Sequence, residues 1–206
     1  MKKNLLSLLL FPMLAIMAIP ANSQSVAPKG AKTLVAYFSR VGNSRPFPSV
    51  EAVSSASRPR GNTILVADMV HKAVGGDRFP IMIVDPYPAL YRETTDVAMK
   101  EQNANARPKL ATQVLNMADY DVIFLGYPIW WGTLPMALFT FLDEYDLSGK
   151  TIIPFCTNGG SQLGRSVDDI KKLEPRANVS EGLAVRAEGA ARASGEVNAW
   201  LARLGY

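Results

Sequence analysis

Across 206 residues the chain holds one cysteine and one histidine. A lone thiol, Cys156, forms no internal disulfide, so a disulfide-stapled scaffold is excluded. So few soft ligands also argue against a zinc site. Cys156 ends the apolar run Thr151-Ile152-Ile153-Pro154-Phe155-Cys156 and reads as a buried, inert thiol. His71 lies inside a helical pattern and reads as a surface or packing residue, with catalysis the weaker alternative. Charge of one sign is scarce as well. The formal net charge is +4, falling to +2 without Lys2 and Lys3. The basic residues are scattered, and nothing resembles a nucleic-acid-binding module.

Long hydrophobic runs are missing, with one short exception. Lys2 and Lys3 precede an apolar stretch from Leu5 to Ile19, followed by Ala21-Asn22-Ser23. A charged start, a short apolar core and small residues before a cut at Gln24 predict a signal peptide over residues 1–23. The stretch is short for a bilayer and contains Pro12, which disfavours the alternative, a retained anchor. The sequence therefore predicts export to the periplasm or the extracellular space, with no stable membrane span after processing. No twin arginines precede the core, and no cysteine near the cut offers a lipid site.

What remains is rich in core-forming residues. Hydrophobic types make up 48% of the chain, which excludes a disordered protein. The pattern alternates between short apolar runs and helical periods. Thr33–Phe38 reads as a strand buried on both faces. Gly61-Asn62-Thr63 opens a helix with Ile64, Ala67, Val70 and Val74 at helical spacing and Gly75-Gly76 as its stop. Phe79–Val84 reads as a second strand, at an edge because of Pro80. A helix follows over Leu90–Asn103, then a strand at Asp121–Gly126 and a helix at Pro135–Tyr145. Thr151–Cys156 is the fourth strand, and Gly164–Leu173 a helix with Ser166 as a candidate cap. Ser180–Arg186 is a weakly apolar fifth strand. Glu188–Leu204 closes the chain as a helix with Val197, Trp200, Leu201 and Leu204 inward. Strands alternating with helices imply βαβ units, a parallel sheet and one domain over 33–206.

Ligands of such sheets bind outside the carboxyl ends of the strands. Three unusual loops start there. The first holds Ser39-Arg40-Val41-Gly42-Asn43, then a long insertion, then Gly61-Asn62-Thr63 at a helix start. Hydroxyls, an amide and backbone N–H groups meet there, as a phosphate requires. The loop matches neither the Walker pattern nor the dinucleotide fingerprint. A plain helix cap at Asn62 or Thr63 is the competing account. The second loop is Tyr127-Pro128-Ile129-Trp130-Trp131-Gly132. Its tryptophans could cover a flat ring, or pack on the sheet or a partner. The third, Thr157-Asn158-Gly159-Gly160-Ser161-Gln162-Leu163-Gly164, lets backbone approach a ligand closely, though such glycines also mark plain turns.

Together these segments resemble the flavodoxin-like family, in the group with Tyr-Phe-Ser-Arg after strand one and Gly-Tyr-Pro-Ile-Trp-Trp-Gly after strand three. The resemblance runs from Thr33 to the C-terminus. It takes in Tyr87-Pro88, Tyr91, Asn105-Ala106-Arg107-Pro108 and the Pro154–Ser161 segment. It implies an α/β, flavodoxin-like three-layer sandwich with a five-stranded parallel sheet of order 2-1-3-4-5, and it implies FMN. It assigns Ser39, Arg40, Asn62 and Thr63 to the phosphate. It places Pro128, Ile129, Trp130, Trp131 and Gly132 along the isoalloxazine, with Trp130 stacking. Thr157, Asn158, Gly159, Gly160 and Gly164 line the other edge. Relatives often carry one continuous Ser-x-x-Gly-Asn-Thr loop. Here Gly42-Asn43-Ser44 resembles its end, yet Gly61-Asn62-Thr63 begins the helix. The intervening Ser44–Arg60 is longer than ordinary loops.

The resemblance implies an FMN-dependent redox protein that passes electrons to a partner protein or a small, quinone-type acceptor. No acid–base residue is required for that, so none is assigned. Electron-carrying flavodoxins tend to be acidic, and this mildly basic chain leans toward a reductase. Most flavodoxins work where FMN is made, in the cytoplasm, so an exported member must acquire FMN outside. An exported binding protein on the same scaffold, without a redox role, is the alternative.

Overall fold

The computed structural model describes residues 30–46 and 60–206. The signal-peptide segment 1–23 and residues 47–59 of the insertion lie outside the described residues. Six strands form one parallel sheet: β1 (Thr33–Tyr37), β2 (Asp77–Pro80), β3 (Val122–Pro128), β4 (Thr151–Asn158), β5 (Asn178–Val179) and β6 (Leu183–Arg186). The order is β2-β1-β3-β4-β5, with β6 also paired to β4. Five α-helices flank it: α1 (Asn62–Val74), α2 (Tyr91–Asn103), α3 (Met136–Asp143), α4 (Ser166–Leu173) and α5 (Ser194–Arg203). This is the expected three-layer sandwich with the expected strand order.

Period-two alternation builds two cores from the same strands. Leu34, Ala36, Phe38, Ile123, Leu125 and Tyr127 face one side, with Leu138 and Phe141 of α3. Val35, Tyr37, Val122, Phe124, Ile153 and Phe155 face the other. There α1 supplies Val66, Ala67 and Val70, and α5 supplies Val197, Trp200 and Leu201.

The fifth strand differs from expectation in an informative way. It is two strands, because Ile152 pairs with Val179 but Phe155 pairs with Leu183. The edge chain therefore carries one residue more than β4 between these points, as in a bulge. The extra residue lies opposite Pro154, which has no N–H to offer a neighbouring strand.

Three other boundaries move. The second strand is Asp77–Pro80 rather than Phe79–Val84. The Ile81 N–H still donates to the Tyr37 carbonyl of β1, but from Met82 onward the chain bonds to loops: the Met82 N–H donates to Thr112 Oγ1 and the Ile83 N–H to Asn43 Oδ1. Ser166 is not a cap. Arg165 holds that position, and Ser166 is buried, its hydroxyl donating to the Leu163 carbonyl. The closing helix is broken, with a 3-10 segment over Ala187–Arg192 before α5. Gly189 and the Ser194-Gly195 pair weaken a continuous α-helix there.

Candidate functional site

β1, β3 and β4 end side by side, so their loops share one edge of the sheet. A cleft of about 170 Å³ lies there. Arg40, Asn62, Pro128, Ile129, Trp130, Trp131, Thr157, Asn158 and Gly159 line it, so all three loops converge. Among the described residues, Arg40 is the charged residue of the lining.

The first loop makes a cradle. Gly61 precedes α1 with φ 73°, and a Cβ there would fall 2.6 Å from Ser39 Oγ. Only glycine lets the helix start press against the strand end. The N-cap is Gly61, which has no side chain to offer a capping bond, and no acidic residue stands in the first turn of α1. A helix start of this kind presents backbone N–H groups and a positive dipole end. Ser39 and Thr63 are buried just behind the lining. The Thr63 and Thr157 hydroxyls meet at 2.9 Å and tie the first loop to the third.

The duplicated Gly-Asn is resolved by burial. Asn43 is buried and its amide donates to the Ser39 and Ile81 carbonyls, both at 2.9 Å. Its side-chain oxygen accepts the Ile83 N–H. Asn43 is thus a structural bolt between the ends of β1 and β2, and Gly61-Asn62-Thr63 is the pair-bearing segment that reaches the cleft.

The second loop is a tight reversal. Trp130 and Thr133 exchange backbone hydrogen bonds, N–H to carbonyl, at 2.8 and 3.1 Å. The two residues between them, Trp131 and Gly132, both have positive φ, 49° and 81°. Such turns favour Asn-Gly, and a tryptophan there is strained. The neighbouring tryptophans diverge. Trp130 packs edge-on against Phe38 and Tyr87, with ring centroids 5.6 and 5.0 Å away. Trp131 is 48% exposed, and its indole N–H donates to the Thr95 carbonyl at 2.9 Å. Behind Trp130, the Tyr87 hydroxyl donates to Glu101 at 2.7 Å. Burial raises the Glu101 carboxyl above its ordinary range, and the Tyr87 hydrogen bond opposes that rise.

The third loop is organised from within. Asn158 is buried, and its side-chain oxygen accepts the Gly160 and Gln162 N–H groups at 2.8 and 3.1 Å. The Gly160 N–H expected to face a ligand is therefore bonded inside the loop. Gly164 does not line the cleft. A Cβ there would fall 2.2 Å from the Gly132 carbonyl, and the Arg165 N–H donates to that same oxygen. Gly132 and Gly164 thus lock the second loop to the third. Cys156 below them is buried, and burial pushes its thiol up to about 12.

A fourth wall was not foreseen. Tyr91, Thr94, Thr95 and Ala98 of α2 line the cleft opposite α1. Arg40 reaches across to it, donating to the Ala89 carbonyl and to Thr94 Oγ1. Burial lowers the Arg40 guanidinium from its ordinary value. The available signal was a tyrosine and two threonines clustered in the first turns of α2, a pattern that an ordinary surface helix also shows.

The model of the family described as Flavodoxin matches residues 32–204. Among solved structures, a protein of Bacteroides eggerthii DSM 20697, assigned by inference as a flavoprotein, is similar at 32% identity and a TM-score of 0.65. The match covers 85% of this chain and 99% of that one. A second such assignment, from Bacteroides uniformis ATCC 8492, is 30% identical with a TM-score of 0.65, over 84% and 99% of the two chains. A flavoprotein from Lactobacillus acidophilus NCFM, solved in complex with FMN, shares the fold at 21% identity and a TM-score of 0.60, over 83% and 99%. No protein with a curated description matches the chain.

Proposed function

Because the chain belongs to the flavodoxin family, we propose that it binds FMN in this cleft and serves as a redox protein. The observation that carries the proposal is the convergence of a glycine-led helix start with three loops on one cleft. The fit can be tested on the residues present. Gly61 lets the start of α1 lie against Ser39 and Val41 at the end of β1, and the first turn of α1 carries no carboxylate. That helix start suits a dianionic phosphate. Arg40 supplies the charge that the described residues bring to the lining, and it is positive.

In this reading Ser39, Arg40, Asn62 and Thr63 hold the phosphate. Trp130 and Pro128 flank the flavin ring, and Thr157, Asn158 and Gly159 border its other edge. When bound, FMN supplies reversible one- and two-electron transfer. The chain positions the ring and excludes water from one side of it. The cleft is smaller than pockets that engulf their ligands, so part of the ring stays open to a redox partner. That partner is a protein or a small acceptor. Residues 1–23 are proposed as a cleaved export signal, which N-terminal sequencing of extracytoplasmic protein would test. An intact Met1 on soluble cytoplasmic protein would overturn that part.

Titration of the apoprotein with FMN and with riboflavin tests the binding claim. Quenching of flavin fluorescence by both, with FMN the tighter ligand, is the expected result. Absence of binding by either would leave only the fold.

A further inference from the structure

The turn that carries the two tryptophans is gripped from two sides. Trp131 sits at φ 49° and Gly132 at 81°, a backbone that a tryptophan adopts only under constraint. Such strain persists where the surroundings over-determine it, and it gathers at functional sites. On one side α2 supplies the constraint. The Thr95 carbonyl accepts the Trp131 indole N–H at 2.9 Å, and Gln102 Nε2 donates to the Trp131 carbonyl at 3.4 Å. On the other side stands the start of α4.

α4 meets the second loop at three points. The Tyr127 hydroxyl donates to Ser166 Oγ at 2.9 Å, and the Arg165 N–H donates to the Gly132 carbonyl at 2.9 Å. The Thr133 hydroxyl donates to Asp169 Oδ2 at 2.7 Å. This third bond differs in kind, because its acceptor is a carboxylate. Hydrogen bonds to a charged acceptor are shorter and roughly twice as strong as neutral ones. Thr133 is fully buried, so loss of the acceptor would strand its hydroxyl away from water. The Asp169 side chain is 13% exposed, and Arg165 Nε donates to the same oxygen at 3.0 Å. Lys172 Nζ stands 3.9 Å from the other oxygen. The carboxylate is thus held in place before it holds the turn. Thr133 exchanges backbone hydrogen bonds with Trp130. A fixed Thr133 therefore fixes the main chain of the residue whose ring packs on Phe38 and Tyr87.

We propose that Asp169 is a positioning residue of the flavin site: through Thr133 it fixes the Trp130–Thr133 turn, and with it the aromatic edge offered to the isoalloxazine. The proposal rests on the FMN reading above. Thr133 ends the second loop, which borders the ring, whereas the phosphate belongs to the first. Loss of the Asp169 carboxylate should therefore lower affinity for FMN and for riboflavin by the same factor.

The test follows binding of both flavins by fluorescence quenching, with the visible circular dichroism of the bound flavin as a second readout. Asp169→Ala and Thr133→Val should each weaken both flavins by about fivefold, the scale of one misplaced stacking ring, and alter that dichroism. Thr133→Val keeps the side-chain volume and carries the test where Asp169→Ala does not fold. The double variant should be no weaker than either single one, because both remove the same bond. Asp169→Asn, which keeps an oxygen acceptor, should restore most of the affinity. Asp168→Ala is the control: Asp168 shares the first turn of α4 but is exposed, so its loss subtracts the same charge and leaves the Thr133 bond in place. It should leave both affinities unchanged. Flavin binding untouched by Asp169→Ala and Thr133→Val would overturn the proposal. So would additive losses in the double variant, an equal loss in Asp168→Ala, or a loss confined to FMN, which would tie the carboxylate to the phosphate instead. Failure of the unmutated protein to bind either flavin would overturn the functional reading first, and this one with it.

Discussion

The two ends of the sheet are built from different kinds of contact. At the carboxyl end, glycines let the loops press together. Gly164 lies against the Gly132 carbonyl, Gly61 against Ser39, and Trp131 is held at positive φ. At the amino end Gly76 also presses on the Thr33 carbonyl, where a Cβ would fall 2.3 Å from the oxygen, and the loops around it are joined by side chains. Lys32 pairs with Asp119 at 3.3 Å, the Tyr120 hydroxyl donates to Asp77, and Lys150 donates to the Ala118 and Tyr120 carbonyls. Exposed pairs of that kind are worth little and tolerate exchange. Loops locked through glycines do not, because no rotamer can relieve the clash. The ligand end is locked between loops at Gly61 and Gly164, whereas the amino end is locked at Gly76 and otherwise joined by side chains.

The same substitution at both ends gives the largest contrast. Gly164→Ala adds a Cβ 2.2 Å from a carbonyl oxygen at φ 52°. It should cost about 3 kcal/mol, from overpacking and the left-handed backbone together. Gly149, before β4 at the amino end, also has positive φ, 76°, but a Cβ there meets nothing within 4 Å. Gly149→Ala should cost about 1 kcal/mol, the backbone term alone. Urea unfolding measures both, and equal losses would remove the distinction between the ends.

The phosphate cradle gives the next effect. Thr63→Ala should weaken FMN by roughly 1.5–3 kcal/mol if the hydroxyl meets a charged oxygen. Riboflavin, which has no phosphate, should hardly respond. The Thr63 hydroxyl also meets Thr157. Equal weakening of both flavins would therefore mean that the hydroxyl acts only as a tie between loops.

A smaller effect separates the tryptophans. Trp130→Ala should weaken FMN by about 1 kcal/mol more than Trp131→Ala does, the order of one stacked ring. Flavin fluorescence titration of both variants checks it. A larger loss at Trp131 would reverse the division of roles.

These contrasts also explain what could be read from the sequence. The alternation of strands and helices follows from apolar periodicity, which survives small boundary shifts, whereas the strand order is what the family resemblance implies. The three loops were legible because glycines and aromatics mark them. The fates of Trp130 and Trp131 were not, since one residue of turn geometry turns neighbouring side chains opposite ways. The α2 wall was missed because Tyr91, Thr94 and Thr95 become a site only across space from Arg40. Gly42-Asn43-Ser44 resembled the end of the usual loop, and the hydrogen bonds of buried Asn43 to Ser39, Ile81 and Ile83 show that it is a bolt. The split of the last strand hid in Pro154, whose missing N–H matters only once its neighbour is known.

The smallest expected effect belongs to the amino end and should leave the cleft untouched. Glu174 is half-buried just past α4. Its carboxyl is pushed up to about 7, chiefly by burial and then by Asp143 and Asp146, with Arg176 opposing. In the unfolded chain it ionises near its ordinary 4.5. The folded protein therefore holds this proton more tightly than the unfolded chain does. The associated stability is complete at pH below about 4 and is lost as pH rises through about 7. Solvent reaches much of Glu174, so the loss should be about 1 kcal/mol or less. Glu174→Gln should flatten the decline in urea stability between about pH 4 and 8, and raise stability at the upper limit. FMN affinity of that variant should match the unmutated protein at each pH, because Glu174 stands at the end of the sheet opposite the cleft. An unchanged stability profile would remove Glu174 from the pH response. A shift in FMN affinity would show that the two ends of the sheet are coupled.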